Sequence, residues 1–122
     1  MQPRVLLVED DDAIREIYSM KFELAGFTTQ VAENGEQALN LLSEFEPNFI
    51  LLDMMMPVMN GEEFLQKLGP LVNRVEIIVF SNAAGPRLKD RAKRLGAKDF
   101  WIKSDYTPER VAIELFRRWQ AK

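Results

Sequence analysis

Short apolar runs alternate with longer stretches of helical periodicity along the whole chain, and this alternation occurs five times. A short apolar run bounded by turn formers is typical of a buried strand, whereas apolar residues three or four positions apart indicate a helix face. The predicted strands are Arg4–Val8, Phe27–Ala32, Phe49–Leu52, Val75–Phe80 and Asp99–Lys103. Strands that alternate with helices favour βαβ units, so the pattern predicts an α/β fold with a doubly wound, five-stranded parallel sheet.

Capping and turn residues set the predicted helix boundaries. Asp12 is expected to cap the first helix, and Gly26 is expected to end it in a left-handed conformation. The apolar positions of this helix are Ile14, Ile17, Tyr18 and Leu24. The later helices are predicted to start after Asn34-Gly35, near Glu62, at Gly85-Pro86 and at Thr107-Pro108.

The third predicted strand runs directly into a single carboxylate, Asp53, and Pro57 ends the segment behind it. Four consecutive apolar residues before this carboxylate indicate a strand that is buried on both faces. In open α/β sheets, ligands bind at the carboxyl ends of the strands, where Asp53 would lie. An isolated aspartate at this position could equally well cap a loop. The prediction that Asp53 is functional therefore depends on the residues expected beside it.

Several of these neighbours are predicted to lie at the same edge of the sheet. Right-handed crossovers make the first and third strands central neighbours, so Glu9 and Asp10 are expected to share a pocket with Asp53. The fourth and fifth strands deliver Ser81 and Lys103 to this edge. Taken singly, Ser81 could be a hydroxyl bonded to backbone and Lys103 a surface lysine. Together, the five residues at strand ends predict a functional site.

Three converging carboxylates repel one another unless a counter-charge is present. A hard divalent cation relieves the repulsion, and a set of oxygen ligands suits magnesium, or alternatively manganese. Lys103 adds one positive charge and Ser81 a neutral donor. These groups around one carboxylate suit phosphoryl transfer, with Asp53 attacking phosphorus while the cations neutralise its oxygens.

The composition predicts one globular domain, residues 1–122, because 47% of its residues are hydrophobic and 29% are charged. The chain has no cysteine, which excludes disulfides and thiolate metal sites and fits a cytoplasmic location. It also has no histidine, which excludes phosphohistidine chemistry carried by this chain itself. The first residues include too short an apolar run for a signal peptide or a membrane span.

Charge is distributed unevenly along the chain, whose formal net charge is -3. Residues 1–61 contain 3 basic and 11 acidic side chains, a net of -8, whereas residues 62–122 contain 13 basic and 8 acidic ones, a net of +5. An acidic first half fits a divalent-cation site. The basic second half is either a set of solvated helix faces or a surface for a partner.

The chain resembles the response-regulator receiver domains of two-component, histidine–aspartate phosphorelay systems over essentially its full length. The matching segments are Leu7-Val8-Glu9-Asp10, Leu52-Asp53-Met54-Met55-Met56-Pro57, Asn60-Gly61, Ser81, Gly96-Ala97 and Lys103. The resemblance implies a flavodoxin-like (βα)5 fold with strand order 2-1-3-4-5. It further implies a signalling switch rather than an enzyme acting on other substrates.

The resemblance also implies a role for each site residue. Asp53 would accept a phosphoryl group from a phosphohistidine on a sensor histidine kinase or histidine phosphotransfer protein. Glu9 and Asp10 would hold Mg2+ together with Asp53 and the backbone carbonyl of Met55. Ser81 and Phe100 would form the switch pair, in which the hydroxyl moves toward the phosphoryl group and the aromatic ring turns inward.

Phosphorylation is then expected to change the surface formed by helix 4, strand 5 and helix 5. An acidic protein target, or a second copy of the chain, would bind this surface, because helix 4 is unusually basic. Nucleic acid is a weaker alternative, since few cations lie beside a net-acidic body, and no membrane partner is expected.

Two residues depart from the family pattern. Asn82 stands after the switch hydroxyl, where a very small residue is usual, and could crowd the phosphoryl site. Ser104 stands after Lys103, where proline is usual and the bond is characteristically cis. Because a cis bond before serine costs about 2.5–4 kcal/mol, we expect a trans Lys103–Ser104 bond with Lys103 still reaching Asp53.

Three alternatives remain at this stage. A haloacid-dehalogenase-type phosphatase also uses an aspartate nucleophile, but it requires an acid where Met55 stands. A phosphorylation-independent interaction module could have kept the fold, although the five site residues argue against it. The chain could also be the receiver part of a longer regulator, whereas its end in a helix favours a free-standing receiver.

Overall fold

The computed structural model describes residues 2–122, so the predicted domain start at Met1 lies outside the described residues. Five strands alternate with five helices, as the apolar pattern predicts. The strands are β1 (Arg4–Val8), β2 (Thr28–Ala32), β3 (Phe49–Leu52), β4 (Glu76–Ser81) and β5 (Asp99–Ile102). The helices are α1 (Asp12–Leu24), α2 (Gly35–Leu41), α3 (Gly61–Leu68), α4 (Pro86–Arg94) and α5 (Pro108–Gln120). Short 3-10 turns follow α3 at Gly69–Asn73 and β5 at Lys103–Asp105.

All five strands are parallel and lie in the order β2-β1-β3-β4-β5. The predicted doubly wound α/β fold and its strand order are therefore confirmed. Val8 pairs with Leu52, and Leu52 pairs with Val79, so the three central strands end side by side. This alignment brings the residues that follow β1, β3 and β4 to one edge of the sheet.

Alternate residues of each strand point to opposite faces and supply two separate cores. In β1, Leu6 and Val8 face α2, α3 and α4, whereas Val5 and Leu7 face α1 and α5. The residues of β3 are all completely buried, as expected for a central strand covered on both faces. The site is thus held by a sheet whose centre is inaccessible to water.

The first helix departs from the prediction in its cap and in its buried face. Asp11, not Asp12, is the N-cap, and its side chain accepts a hydrogen bond from Ile14 N. Ile17 and Leu24 were expected in the core but are 50% and 77% exposed. The buried pair is Tyr18 and Phe22, because the helix is rotated so that these two residues contact the aromatic core around Phe27 and Phe80.

Other boundaries differ by a residue or follow the prediction. Strand β4 continues through Ser81, and β5 ends at Ile102, so Lys103 begins the following turn. Gly26 has a φ of 95° after the end of α1, which confirms the predicted left-handed position. Thr107 caps α5 by accepting a hydrogen bond from Arg110 N, as expected.

Within residues 2–122, no helix combines the length and apolar character needed to cross a membrane.

The corrected face of α1 can be tested by paired substitutions. Phe22→Ala removes a completely buried ring and should lower the free energy of unfolding by about 3–5 kcal/mol, because a cavity remains. Ile17→Ala, at the half-exposed position, should cost less than about 1 kcal/mol. Urea unfolding of both variants measures the difference, and equal losses would contradict the described helix orientation.

Candidate phosphoryl-acceptor site

The site is built from residues that directly follow, or end, the central strands. Glu9 follows β1 and donates its backbone N–H to Ala32 O at 2.9 Å, while Asp53 follows β3 and donates its backbone N–H to Val8 O at 3.0 Å. These bonds continue the sheet by one residue and fix the backbone of both acids. Glu9 and Asp53 are 1% and 5% exposed, whereas Asp10 lies at the surface. The predicted convergence of the three acids is present.

Both carboxylate oxygens of Asp53 accept hydrogen bonds. Oδ1 accepts from Ser81 Oγ at 3.0 Å and from Met55 N at 3.1 Å, and Oδ2 accepts from Lys103 Nζ at 3.0 Å. The carboxylate is therefore held by a hydroxyl, a backbone amide and an ammonium group. The trans Lys103–Ser104 bond and the reach of Lys103 to Asp53 are confirmed.

Lys103 is the counter-charge for two buried acids, since its Nζ also forms an ion pair with Glu9 Oε1. Burial by itself would lower the pKa of Lys103, but the hydrogen bonds to Glu9 and Asp53 outweigh it and raise the pKa. Lys103 therefore stays protonated at neutral pH. Burial raises the pKa of Glu9, although the bond from Lys103 and the backbone N–H of Asp11 oppose this effect.

The acids fit a divalent cation. Glu9, Asp10 and Asp53 each offer a carboxylate oxygen, and these atoms lie within 4.8 Å of one another. Glu9 Oε1 and Asp53 Oδ2 share a single ammonium, that of Lys103, so three carboxylates converge on one positive charge. Oxygen ligands around a partly open site are the kind that Mg2+ prefers. The exposure of Asp10 leaves that side of the site accessible to water.

The loop behind Asp53 is held close to the sheet. Met59 N donates to Pro57 O at 2.7 Å, which forms a three-residue turn around Val58 with a φ of 68°. Asn60 and Glu63 then form a reciprocal capping box that starts α3. A Cβ on Gly61 would lie 2.7 Å from both Asp53 O and Met54 Cα, so only glycine fits against the backbone of these two residues.

Phe100 lies apart from Asp53. It pairs with Val79 in the sheet, two positions before Ser81, and its half-buried ring contacts the core on the α4 side. Lys89 Nζ lies 5.7 Å from the centre of this ring, within the range of a cation–π interaction. Ser81 and Phe100, the predicted switch pair, therefore lie on the neighbouring strands β4 and β5. Ser81 contacts Asp53, whereas Phe100 lies away from it.

Two further contacts were not predicted from the sequence. Arg15 donates to the backbone carbonyl of Glu9 at 2.8 Å, and Ser104 N donates to Asn82 Oδ1 at 3.0 Å. Arg15 follows the acidic segment by three residues, but nothing in the pattern indicates its target. Asn82, expected to crowd the phosphoryl site, is exposed and bonded to the neighbouring loop.

Comparison with known proteins decides the family. Residues 5–112 match the family described as the response regulator receiver domain. Sporulation initiation phosphotransferase F of Bacillus subtilis is 30% identical over 103 residues, which are 84% of this chain and 83% of that protein. The chain belongs to the response regulator receiver domain family. A receiver domain is a signalling switch, and the haloacid-dehalogenase-type alternative is excluded.

Other relatives are longer than this receiver domain. The regulatory protein AtoC of Escherichia coli is 36% identical over 100 residues, which are 82% of this chain but 22% of that protein. The response regulator MprA of Mycolicibacterium vanbaalenii is 31% identical over 93% of this chain and 47% of its own length. The receiver domain thus spans about a fifth to a half of these curated relatives.

Solved structures agree with the fold. A CheY-like receiver domain protein from Methanospirillum hungatei superposes with a TM-score of 0.90 at 22% identity and covers 99% of this chain and 96% of its own. The receiver domain of a Francisella response regulator has a TM-score of 0.86 at 27% identity, with 98% of each chain covered. The receiver architecture therefore extends over nearly the whole chain.

The close approach at Gly61 gives a test of how tightly the backbone of Asp53 is held. Gly61→Ala places a methyl group against the backbone of Asp53 and Met54 and should cost about 1–3 kcal/mol of unfolding free energy. Gly35→Ala is the matched control at the start of α2, because the two nearest atoms there belong to the flexible Met59 side chain, with Met59 O slightly farther away at 3.1 Å. Isothermal titration with Mg2+ should show weaker binding for the first variant only. An unchanged Mg2+ affinity in Gly61→Ala would contradict this account.

Proposed function

We propose that Asp53 accepts a phosphoryl group from a phosphohistidine of a sensor histidine kinase or a histidine phosphotransfer protein, in a Mg2+-dependent reaction. The observation that carries the proposal is the set of hydrogen bonds that hold both oxygens of Asp53. The absence of histidine from the chain fits a donor that brings its own. A cytoplasmic location follows from such a donor.

The reaction forms one bond and breaks one. A carboxylate oxygen of Asp53 donates an electron pair to phosphorus, and the phosphorus–nitrogen bond of the donor breaks with its electron pair remaining on the imidazole nitrogen. The Lys103 ammonium bonds Asp53 Oδ2 and can neutralise the charge of the transferred phosphoryl oxygens. The Ser81 hydroxyl bonds Asp53 Oδ1 and is a neutral donor. Each side chain therefore lies where negative charge accumulates.

The proposed ligands of Mg2+ are Glu9, Asp10, Asp53 and the backbone carbonyl of Met55, and Mn2+ would suit the same oxygens. When bound, the cation supplies positive charge that offsets the repulsion between the carboxylates and the incoming phosphoryl group. This repulsion is substantial because Lys103 is shared between Glu9 and Asp53. The protein is thus proposed to catalyse only its own phosphorylation and dephosphorylation.

The proposed output surface comprises α4, β5 and α5. Ser81 and Phe100 are proposed as the switch that links Asp53 to this surface, with Lys89 lying over the Phe100 ring. A groove between α4 and β5 is lined by Lys89, Lys93, Lys98 and Phe100, together with Asp99, whose carboxylate is paired with Arg118 of α5. Such a groove suits an acidic protein target or an acidic surface on a second copy of the chain.

Not every cation of α4 is free to meet a partner. Arg91 bonds Glu62 of α3 at 2.7 Å, and Arg94 pairs with Asp90 at 3.1 Å. These pairs reduce the basic footprint further and weaken the nucleic-acid alternative. A free-standing receiver fits the coverage of sporulation initiation phosphotransferase F, whereas the longer relatives fit the receiver part of a larger regulator, and both stay open. A phosphorylation-independent interaction module is the remaining alternative.

The acceptor is tested by labelling with radioactive acetyl phosphate. Asp53→Asn should abolish incorporation, because the amide nitrogen is no longer a nucleophile, and chelation of Mg2+ should abolish labelling of the unmodified protein. Asp10→Asn is expected to raise the Mg2+ concentration that half-maximal labelling requires, while Asp53 can still accept the label. Stoichiometric labelling of Asp53→Asn would overturn the assignment, and an unlabelled native protein would favour the interaction module.

The output surface can be tested by NMR without a known partner. Beryllium fluoride, which mimics the phosphoryl group, is added together with Mg2+. Backbone amide shifts should change in α4, β5 and α5, since Phe100 and Lys89 join β5 to α4. The opposite edge strand, β2, serves as the internal reference, and Asp53→Asn as the control. Changes limited to residues beside Asp53 would contradict a switch at this surface.

A further inference from the structure

A hydrogen bond joins the two loops that follow β4 and β5 at the edge of the sheet. The last paired residues of these strands are Ser81 and Ile102, after which the two chains enter separate loops. Two residues after Ile102, the backbone N–H of Ser104 donates at 3.0 Å to the side chain Oδ1 of Asn82, the residue that follows Ser81. A side-chain amide thus takes the place of the next carbonyl in the ladder and keeps the two loops together.

The link needs a particular residue at both positions. Proline at position 104 would have no N–H to donate, and a very small residue at position 82 would have no side-chain acceptor. These are the two positions at which the sequence departs from the receiver pattern. The two departures are therefore connected in space by one hydrogen bond, and each supplies half of it.

The link also closes a ring around the acceptor. Asn82 follows Ser81, whose hydroxyl lies 3.0 Å from Asp53 Oδ1, and Ser104 follows Lys103, whose ammonium lies 3.0 Å from Asp53 Oδ2. The backbone segments that carry these two donors are thus joined at both ends, once through Asp53 and once through the Asn82–Ser104 bond. Opening the outer bond would free the 3-10 turn that begins at Lys103.

We propose that the hydrogen bond from Ser104 N to Asn82 Oδ1 is a clasp that positions Lys103 on Asp53. The inference rests on the proposed function of Asp53, since the clasp serves phosphorylation only if Asp53 is the acceptor. Asn82 is a positioning residue that acts through Lys103. Its exposed side chain makes no charge contribution of its own, so its effect must pass through the geometry of the turn.

The test compares four single variants. Asn82→Ala removes the acceptor and Ser104→Pro removes the donor, whereas Ser104→Ala keeps the backbone N–H and is the matched control. The first two should slow acetyl phosphate labelling at saturating donor and Mg2+ by about five- to tenfold, the effect of one ordinary hydrogen bond. Ser104→Ala should label at the native rate. Asn82→Asp keeps an acceptor oxygen and should therefore label at a rate closer to that of the native protein than Asn82→Ala does.

A double-variant cycle separates positioning from a general loosening of the loop. If the clasp acts through Lys103, Asn82→Ala should have no further effect on the labelling rate in a Lys103→Met background. Additive effects, or native rates in both Asn82→Ala and Ser104→Pro, would overturn the proposal.

NMR provides a readout that does not depend on phosphorylation. The amide of Ser104 should exchange faster with solvent in Asn82→Ala, and the Lys103 Cε and Nζ shifts should change, while both stay native in Ser104→Ala. The Tyr106 amide, which bonds Lys103 O at 3.2 Å, reports whether the turn itself persists. If the native protein is not labelled, the proposed function fails, and unchanged Lys103 shifts in Asn82→Ala would separately overturn the clasp.

Discussion

The structure depends on the balance between two buried carboxylates and one ammonium group. Glu9 and Asp53 are nearly inaccessible to water, and Lys103 contacts both of them. Removing one member of such a group leaves an uncompensated charge in the interior, which is far more costly than losing a surface ion pair. The parallel sheet makes the arrangement possible because its central strands end together and carry the acids on a rigid backbone.

Much of this arrangement could be predicted from the sequence because strand ends are local signals. The apolar runs before Glu9 and Asp53 indicate where each strand stops, and parallel pairing then brings the following residues together. The same reasoning placed Ser81 and Lys103 at this edge. The energetic preference for a trans peptide before Ser104 is also local, and it was predicted correctly.

The features that escaped prediction depend on the relation between distant segments. The rotation of α1 is set by the aromatic core that receives Phe22, and apolar spacing alone did not distinguish Phe22 from Ile17. The choice of Asp11 as cap among three successive aspartates depends on the last turn between strand and helix. The bond between Asn82 and Ser104 joins loops 22 residues apart, which no local pattern reveals.

Strand β5 has a consequence for how the domain can transmit a signal. Its neighbouring side chains belong to different halves of the molecule, since Phe100 contacts the α4 side and Trp101 stacks on Tyr106 on the α5 side. It is also an outer strand, bonded to the sheet through β4 alone. A displacement of β5 would disturb its hydrogen bonds to β4 on one side only, and it would shift side chains that pack on both faces of the sheet.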